Sequence, residues 1–316
     1  KGHQTMAMAM TPKRSFRIAA AFGFASALSV IVLGDESGYA VTEHQQAKLA
    51  AMEGMWETEA APASFTVFAI PDDASRSNSM EVKVPYVLGL IATRSADKVL
   101  PGINDLEKVA AQRIARGALA VTALEKMRAK TADEATRALF EANKADLGYG
   151  LLLKKFTTDV SQATPDMIAK AARDAIPAVT PMFWTFRIMV ALGFSFALLF
   201  GLSFWYSTKN TFHEKRWLLK WALWWIPMPW IACEMGWFVA EYGRQPWTIY
   251  GVLPTHLSTS TLSAGSLYGS LAGFMFFYTG LLVVELYLMF KYARLGPSSL
   301  GVGRYHFETA AKPAHA

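Results

Sequence analysis

The stretch FWTFRIMVALGFSFALLFGLSFWY, which runs from Phe183 to Tyr206, decides the fold of this chain. Arg187 is its single charged residue. A helix needs about 20 predominantly apolar residues to cross the hydrocarbon core of a bilayer, and this stretch is longer than that. Aromatic side chains lie at both of its ends, as is typical where a helix meets the membrane–water interface. The stretch therefore predicts a membrane-spanning helix.

Three further apolar runs lie elsewhere in the chain, at Phe16–Leu33, Trp217–Ala240 and Leu267–Phe290. Buried helices of a large soluble protein are the alternative. Charged residues, however, make up only 18% of the chain, whereas soluble proteins carry about 25%. We therefore predict an all-α integral membrane fold, with four transmembrane helices of a larger helical bundle and a large, mostly helical loop domain outside the membrane.

The short segments beside the apolar runs differ in their content of basic residues. Lys and Arg cluster before or at the start of the first run, between the second and third runs or at the start of the third, and after the fourth. They are Lys1, Lys13, Arg14, Arg17, Lys209, Lys215, Arg216, Lys220, Lys291, Arg294, Arg304 and Lys312. The connection after the third run holds Arg244 as its one basic residue. Because basic flanks stay on the cytoplasmic side, both ends of the chain are predicted to be cytoplasmic.

This orientation divides the chain into nine segments. The predicted transmembrane helices are 16–33, 183–206, 217–240 and 267–290, the cytoplasmic segments are 1–15, 207–216 and 291–316, and the periplasmic loops are 34–182 and 241–266. In the first loop, periodicity and end signals predict helices at Val41–Glu57, Leu106–Ala129, Ala132–Asp146 and Pro165–Ile176, the last with Thr164 as its N-cap. Strands are predicted at Ser64–Ile70 and Met80–Val87, with a turn at Pro71–Asp73.

The composition also excludes several classes of function. The net charge is +6, but the basic residues lie beside the apolar runs and form no cluster with exposed aromatic residues, so nucleic-acid binding is not expected. The single cysteine, Cys233, can form neither an internal disulfide nor a thiolate metal site. All six histidines lie outside the apolar runs. None of them is a plausible haem ligand within the membrane.

Ionisable residues occur at helical spacing in the third apolar run. Glu234, Trp237, Glu241 and Arg244 follow one another at intervals of three and four residues, which places them on one face of an α-helix. Charged residues inside a membrane span are costly and by default mark functional sites. The alternative is a Glu241–Arg244 pair that only anchors the helix end at the interface, and the spacing does not separate the two. Glu285, in the fourth run, leaves a similar choice open.

Polar residues near the outer end of the first helix form a second group. Asp35 and Glu36 are adjacent and could accept protons from a ligand that enters from the bilayer; a solvated helix end with a glycine turn is the alternative. Lys48 and Glu53 follow in the next predicted helix. They project about 140° apart on an ideal helix, so they are not a simple surface pair. They could flank a bound headgroup, or they could belong to a solvated face.

Met189 lies near the outer end of the second apolar run, two residues after Arg187. Methionine binds haem iron in some cytochromes, and arginine suits a haem propionate. The alternative for Met189 is simple packing, since the chain has 14 methionines and methionine commonly fills apolar interiors.

Several short strings carry a resemblance to one family. They are GDESGY at 34–39, KLAAME at 48–53, LLLK at 151–154, FRIM at 186–189, ARLGPSSL at 293–300 and, above all, GWFVAEYGRQPW at 236–247. These strings closely resemble subunit I of the cytochrome bd ubiquinol oxidases, from about Lys13 to Phe307.

The resemblance implies a subunit of nine transmembrane helices, of which this chain corresponds to the last four. The segment 34–182 would be the periplasmic quinol-binding loop, the Q-loop, of the long-loop branch. The implied location is the bacterial inner membrane. The implied reaction oxidises quinol at the periplasmic face, passes electrons through two b haems to haem d, and reduces oxygen to water. It would generate a proton motive force without pumping.

The resemblance also implies residue roles. Lys48 and Glu53 would serve quinol oxidation. Met189 would bind the iron of the low-spin haem b, close to Arg187. Glu241 would bind the iron of the high-spin haem b, with Trp237 between the haems and Arg244 near their propionates.

The first five helices of the family have no counterpart here, so we expect this chain by itself to be inactive. Its expected partners are those helices, subunit II, in some oxidases a small accessory subunit, ubiquinol and the lipid membrane. Without the resemblance, a non-enzymatic sensor or a transporter fragment with a periplasmic ligand-binding domain would be the alternative. A sensor would need a cytoplasmic output domain, and a transporter would favour internal repeats and broken helices.

Overall fold

The structure is a computed structural model that describes the backbone of residues 2–295 and the side chains of residues 13–294. The predicted cytoplasmic tail 291–316 therefore lies mostly outside the described residues, as do most of the side chains of segment 1–15. The chain separates into two units. One contains α1 as far as Ala20 together with the last helix, and the other comprises Ala21–Thr259. The predicted loop domain and every candidate site residue fall in the second unit.

The first helix, α1, is longer than the sequence predicted. It spans Gly2–His44, so Gly34 and Gly38 are helical, and the glycine turn that was the alternative for this segment is not formed. A glycine inside a helix costs about 1 kcal/mol relative to alanine. Local contacts offset that cost: Thr42 Oγ1 donates to the carbonyl of Gly38 at 2.9 Å, and the Tyr39 hydroxyl donates to Glu43 at 3.0 Å.

A break in the chain direction separates α1 from α2, Gln46–Glu53. The single predicted helix Val41–Glu57 is therefore divided at Gln45 and ends four residues early. Gly54 terminates α2 in the left-handed conformation, with φ of 62°, and its backbone N–H caps the carbonyls of Ala50 and Ala51. Glycine adopts this conformation without a steric penalty. The break turns α2 away from the axis of α1 and places it against α8.

A hairpin of two antiparallel strands follows, β1 at Phe65–Asp72 and β2 at Ser77–Val84. Pro71 pairs with Asn78 and Asp72 with Ser77, so the turn begins at Asp73, two residues later than its predicted start. The predicted second strand is shifted by three residues, because Val87 already opens α3, Val87–Thr93. No helix was predicted there.

The outer part of the loop domain is helical, as predicted, with modest shifts of the boundaries. It contains α4 at Ile103–Arg128, α5 at Glu134–Asn143, α6 at Leu147–Leu151 and α7 at Pro165–Asp174. The Thr164 N-cap is confirmed, since its hydroxyl accepts from the backbone N–H of Met167. Helices α4 and α6 meet backbone to backbone: a Cβ at Gly117 would lie 2.3 Å from the backbone nitrogen of Gly150.

The apolar runs differ in whether each forms one continuous helix. The second forms one continuous helix, α8, at Val179–Thr208. The third is divided into α9 at Arg216–Trp224 and α10 at Met228–Glu241. Proline has no backbone N–H to donate within a helix, so Pro227 and Pro229 account for the interruption. The last run forms α11 at Ala264–Leu295.

Within the described residues, three segments contain a helix that is long and apolar enough to cross a membrane: Lys13–His44, Pro165–Thr208 and Ala264–Arg294. In the second segment that helix is α8, Val179–Thr208. This corrects the expectation of a continuous helix at 217–240. The all-α membrane class itself is confirmed.

Two cores hold the second unit together. The first joins α2, α3, α8 and α10, with buried residues that include Leu49, Met52, Leu88, Val179, Met182 and Val239. The second joins α4, α6 and α7 to the loop after α10, with Ile114, Leu153, Ala171 and Trp247. In that loop a 3-10 turn, Tyr242–Arg244, leads into two short antiparallel strands, β3 at Trp247–Ile249 and β4 at Leu253–Pro254. The loop therefore packs on the loop domain and fixes the C-terminal end of α10.

Candidate functional site

The first core borders a cavity of about 330 Å³ whose walls are mainly apolar. Its lining side chains come from α1, α2, β1, α3, α8 and α10. Four residues singled out from the sequence line it together: Asp35, Lys48, Glu53 and Met189. A site of this kind, concave and apolar with a few polar groups, is typical of small-molecule binding.

Lys48 reaches the cavity from the middle of α2 and is 7% exposed. Its ammonium donates to the carbonyl of Ala240, near the end of α10, at 3.2 Å. Burial lowers the pKa of Lys48, and the positive charge of Arg244 lowers it further, while Glu241 raises it. Lys48 is thus a partly desolvated cation that gives up its proton more readily than an exposed lysine does.

Glu53 forms a buried ion pair with Arg187 of α8. The Glu53 Oε2 and Arg187 Nη2 atoms are 2.7 Å apart, and the two side chains are 3% and 11% exposed. Arg187 Nε also donates to the carbonyl of Thr66 in β1 at 2.9 Å. Burial raises the pKa of Glu53, against the opposing effect of the Arg187 charge and its hydrogen bond. The pair therefore ties α2, α8 and β1 together at the edge of the cavity.

The guanidinium of Arg187 is also enclosed by aromatic rings. Its Cζ atom lies 4.7 Å, 4.5 Å and 5.3 Å from the ring centroids of Phe65, Phe183 and Phe186. Cation–π contacts of this kind strengthen when water is excluded. The side chain of Arg187 thus faces Glu53, and its predicted proximity to a haem stays a prediction.

Asp35 and Glu36 lie on the outer extension of α1, and both are bound by Arg94. Arg94 Nη2 is 3.1 Å from Asp35 Oδ2 and 2.7 Å from Glu36 Oε1, and its Cζ lies 4.6 Å from the ring centroid of Tyr39. Of the two acids, Asp35 lines the cavity. Arg94 follows directly after α3, whose residues Leu88, Ile91 and Ala92 form one wall.

Arg94 was missed at the sequence level. It is a single basic residue in a segment for which we predicted no helix, and its partners lie 58 and 59 residues earlier in the chain. An apolar heptad, Val87–Thr93, that ends in a basic residue was the only available signal.

Met189 lines the cavity from α8, opposite Gly236 of α10. A Cβ at Gly236 would lie 3.1 Å from the Met189 sulfur, so the absence of a side chain there gives the thioether its space. The thioether is a ligand that haem iron accepts. The chemistry of Met189 therefore fits a ligand of haem iron, and this role stays a prediction.

Glu241 and Arg244 lie outside the cavity lining. Glu241 is the last residue of α10, and Arg244 Nη2 donates to Glu241 Oε2 across the 3-10 turn. The two side chains are 41% and 39% exposed, and Trp237, one turn earlier, is 63% exposed. Arg244 Nε is buried without a hydrogen-bond partner. This arrangement of one carboxylate, one free N–H donor and an uncovered indole fits a haem edge, with Glu241 as a single donor to iron.

Within residues 13–294, no cluster of three or more His, Cys, Asp or Glu side chains could hold a metal ion. A cleft of about 510 Å³ lies elsewhere in the loop domain, and it contains none of the predicted site residues. Several of its charged groups pair with one another, as Arg76 does with Glu107 and Lys155 with Asp174. The cavity beside α2 is therefore the best candidate site.

Comparison with known proteins agrees with these features. Residues 3–297 match the family model described as cytochrome bd terminal oxidase subunit I. The chain is 42% identical over 287 residues to the cytochrome bd-II ubiquinol oxidase subunit 1 of Escherichia coli (strain K12), covering 91% of this chain and 56% of that protein. It is 28% identical over 279 residues to the cytochrome bd ubiquinol oxidase subunit 1 of Bacillus subtilis (strain 168), covering 87% and 48%.

The chain thus spans about half the length of the curated relatives it matches. The family match nonetheless covers nearly all of its residues and includes every element that lines the cavity. The chain belongs to the cytochrome bd terminal oxidase subunit I family.

Proposed function

We propose that this chain carries the quinol-oxidising site of a cytochrome bd-type quinol:oxygen oxidoreductase. The observation that carries the proposal is the single cavity into which α2 and α8 bring Lys48, Glu53 and Met189. The two relatives are named as ubiquinol oxidase subunits, and their names support ubiquinol as the substrate class. The family membership also leaves the sensor and transporter alternatives without support.

The cavity suits a quinol headgroup. Its walls are apolar, and its polar groups are few and placed where the hydroxyls of a quinol could bind. Oxidation of a quinol to a quinone releases two protons and two electrons. Glu53, whose pKa is raised by burial, is a better proton acceptor than an exposed carboxylate. Asp35, which also lines the cavity, and the adjacent Glu36 are the further candidate acceptors. Lys48 would bind a quinol oxygen through its ammonium.

Met189 would bind the iron of a low-spin haem b, and Glu241 the iron of a high-spin haem b. Such haems supply the one-electron acceptors that quinol oxidation requires. Arg244 and Trp237 would border the second group. The family also implies haem d, to which we assign no residue of this chain. In the whole oxidase these groups would act with subunit II and, in some oxidases, a small accessory subunit.

We further propose that the site faces the periplasm of the bacterial inner membrane. The distribution of basic residues supports this orientation. Protons from the quinol would then be released outside, while those used to make water would come from the cytoplasm. Charge would be separated across the membrane without a pump.

Substitutions of Lys48 and Glu53 to alanine test the proposal in the assembled oxidase. A hydrogen bond to a charged group contributes about 1.5–3 kcal/mol, so each variant should lose roughly 10- to 100-fold in quinol-dependent oxygen uptake. The reduced-minus-oxidised haem spectra should be unchanged. Lys170→Ala, at an exposed lysine of α7 that pairs with Asp166, is the matched control. Near wild-type uptake in both variants would refute the assignment of the cavity.

A further inference from the structure

Gly243 lies in the 3-10 turn just beyond Glu241 and is buried. Its φ is not positive, so the backbone there does not require a glycine. The steric surroundings of this position, however, do require a glycine. A Cβ at Gly243 would lie 2.5 Å from Met182 Cε, 2.9 Å from Lys48 Cε and 3.2 Å from Lys48 Cγ. Carbon atoms in contact normally stay about 3.5–4.0 Å apart. Any side chain at this position would collide with the stem of Lys48.

The stem of Lys48 passes this turn on its way to the cavity. Lys48 starts from α2, passes Gly243, and ends with its ammonium on the carbonyl of Ala240 at 3.2 Å. The side chain is almost fully buried, and on one side it is bounded by the Met182 side chain, which is 0% exposed. The path is therefore enclosed, and displacement of the stem would move the ammonium away from the position that it occupies at the cavity.

We propose that Gly243 is a positioning residue for Lys48. The absence of a side chain at Gly243 opens the path by which the lysine ammonium reaches the quinol cavity. The turn that carries Glu241 and Arg244 thereby also determines the geometry of the quinol site. The proposal rests on the proposed role of Lys48 in quinol binding.

Gly243→Ala tests the proposal in the assembled oxidase. The added methyl group should raise the KM for quinol about tenfold, equivalent to the loss of one moderate contact, with kcat changed less than about twofold. Haem content and spectra should stay those of the wild type. A second readout does not depend on quinol: acylation of Lys48 by a small amine-reactive reagent, followed by mass spectrometry, should become faster in the variant as the displaced ammonium becomes accessible.

Two comparisons separate a displaced lysine from a general packing defect. Met182→Val in the Gly243→Ala background removes the methyl group nearest to the new Cβ, and KM should stay raised because Lys48 is still displaced. Gly269→Ala, at a glycine of α11 outside the cavity lining whose Cβ would meet no atom within 4 Å, should keep the wild-type KM. In a Lys48→Gln background, Gly243→Ala should raise KM no further.

Several results would overturn the inference: unchanged KM and unchanged labelling in Gly243→Ala, recovery of KM by Met182→Val, an equal rise of KM in Gly269→Ala, or loss of haem in Gly243→Ala. The last would show that the glycine serves the Glu241–Arg244 turn. If Lys48→Ala itself leaves quinol oxidation intact, the proposed function fails instead, and the labelling experiment still decides whether Gly243 positions Lys48.

Discussion

Individual residues in this chain have different surroundings even when their types suggest one role. Glu53 and Glu241 are both carboxylates beside an arginine. The Glu53–Arg187 pair is almost fully buried, whereas the Glu241–Arg244 pair is about two-fifths exposed. A buried pair is costly to break because the remaining charge stays in a low-dielectric interior. An exposed pair contributes at most about 1 kcal/mol. Glu241 is thus the carboxylate that can exchange its partner for a metal at little cost.

Glu241→Gln and Arg244→Gln distinguish an iron ligand from an interfacial anchor. The glutamine keeps the size and hydrogen-bonding capacity of Glu241 but is a far poorer ligand for iron. We expect Glu241→Gln to lose or alter the high-spin haem b, and Arg244→Gln to have a milder effect. The effects of both substitutions are measured by the haem content and the reduced-minus-oxidised spectra of the assembled oxidase. The same mild phenotype in the two variants would favour the anchor, and an unaltered high-spin haem b in Glu241→Gln would exclude Glu241 as a ligand.

Met189→Leu is the corresponding test for the low-spin haem b. The change nearly conserves volume and should cost less than about 1.5 kcal/mol in packing. It removes the thioether, so the low-spin spectrum should become high-spin or disappear. Met182→Leu, at a buried methionine of the same helix, is the matched control and should keep the spectrum. An unchanged low-spin spectrum in Met189→Leu would leave this residue a packing role only.

At the scale of elements, α3 is held against α1 by few contacts. Arg94 provides two ion pairs and a cation–π contact, all at the surface, and the apolar residues Leu88, Ile91 and Ala92 face the cavity. Exposed ion pairs are weak individually. The link between α3 and α1 therefore depends on interactions that a single substitution can remove, whereas Leu88 and Ala92 hold α3 in the first core.

Arg94→Glu should loosen this wall of the cavity. Three carboxylates would then lie side by side, and like charges repel. Loss of these contacts should raise the local opening of α3 several-fold. Hydrogen exchange of the α3 amides in the assembled oxidase measures it. Lys98→Glu makes the same charge change at an exposed position of the same loop and should have little effect. Equal exchange in wild type and Arg94→Glu would contradict this account of docking.

The division of the third apolar run also belongs to the scale of elements. The mean hydropathy of Trp217–Ala240 predicts one membrane span, because it is an average over many residues. The run nevertheless forms two helices, because Pro227 and Pro229 have no backbone N–H to donate to a helical hydrogen bond. The sequence contained both signals, and the local one decided where the helix breaks. In α1 the local signal did not decide the outcome. Two glycines that could have ended the helix lie inside it, and side-chain contacts support the helix there.

At the scale of the whole molecule, the orientation of the chain stays a prediction from its basic flanks. Reporter fusions at Ser77 and His256 of the complete protein should show a periplasmic location, and a fusion at Thr211 a cytoplasmic one. The physical reason is the cost of moving Lys and Arg across the membrane next to each span. A cytoplasmic signal at Ser77 would reverse the orientation and with it the proposed side of quinol oxidation.

Much of this protein was determined by the sequence alone, because the physics involved is local. A run of about 20 apolar residues has few stable environments other than a bilayer, and the helices of the loop domain follow from periodicity and caps such as Thr164. The strings at 48–53, 186–189 and 236–247 were sufficient to indicate the family that the comparison then confirmed.

The tertiary structure decided which of these residues meet. Glu53 and Arg187 are 134 residues apart in the chain, and Lys48 and Ala240 are 192 apart. Nothing in their local sequence specifies the partner. Helix α2 had to turn away from α1 at Gln45, and α10 had to end at Glu241, before these groups could face one cavity. Contacts of this kind depend on how whole elements pack. For that reason Arg94 and Gly243, whose neighbours are remote in sequence, were recognised only in three dimensions.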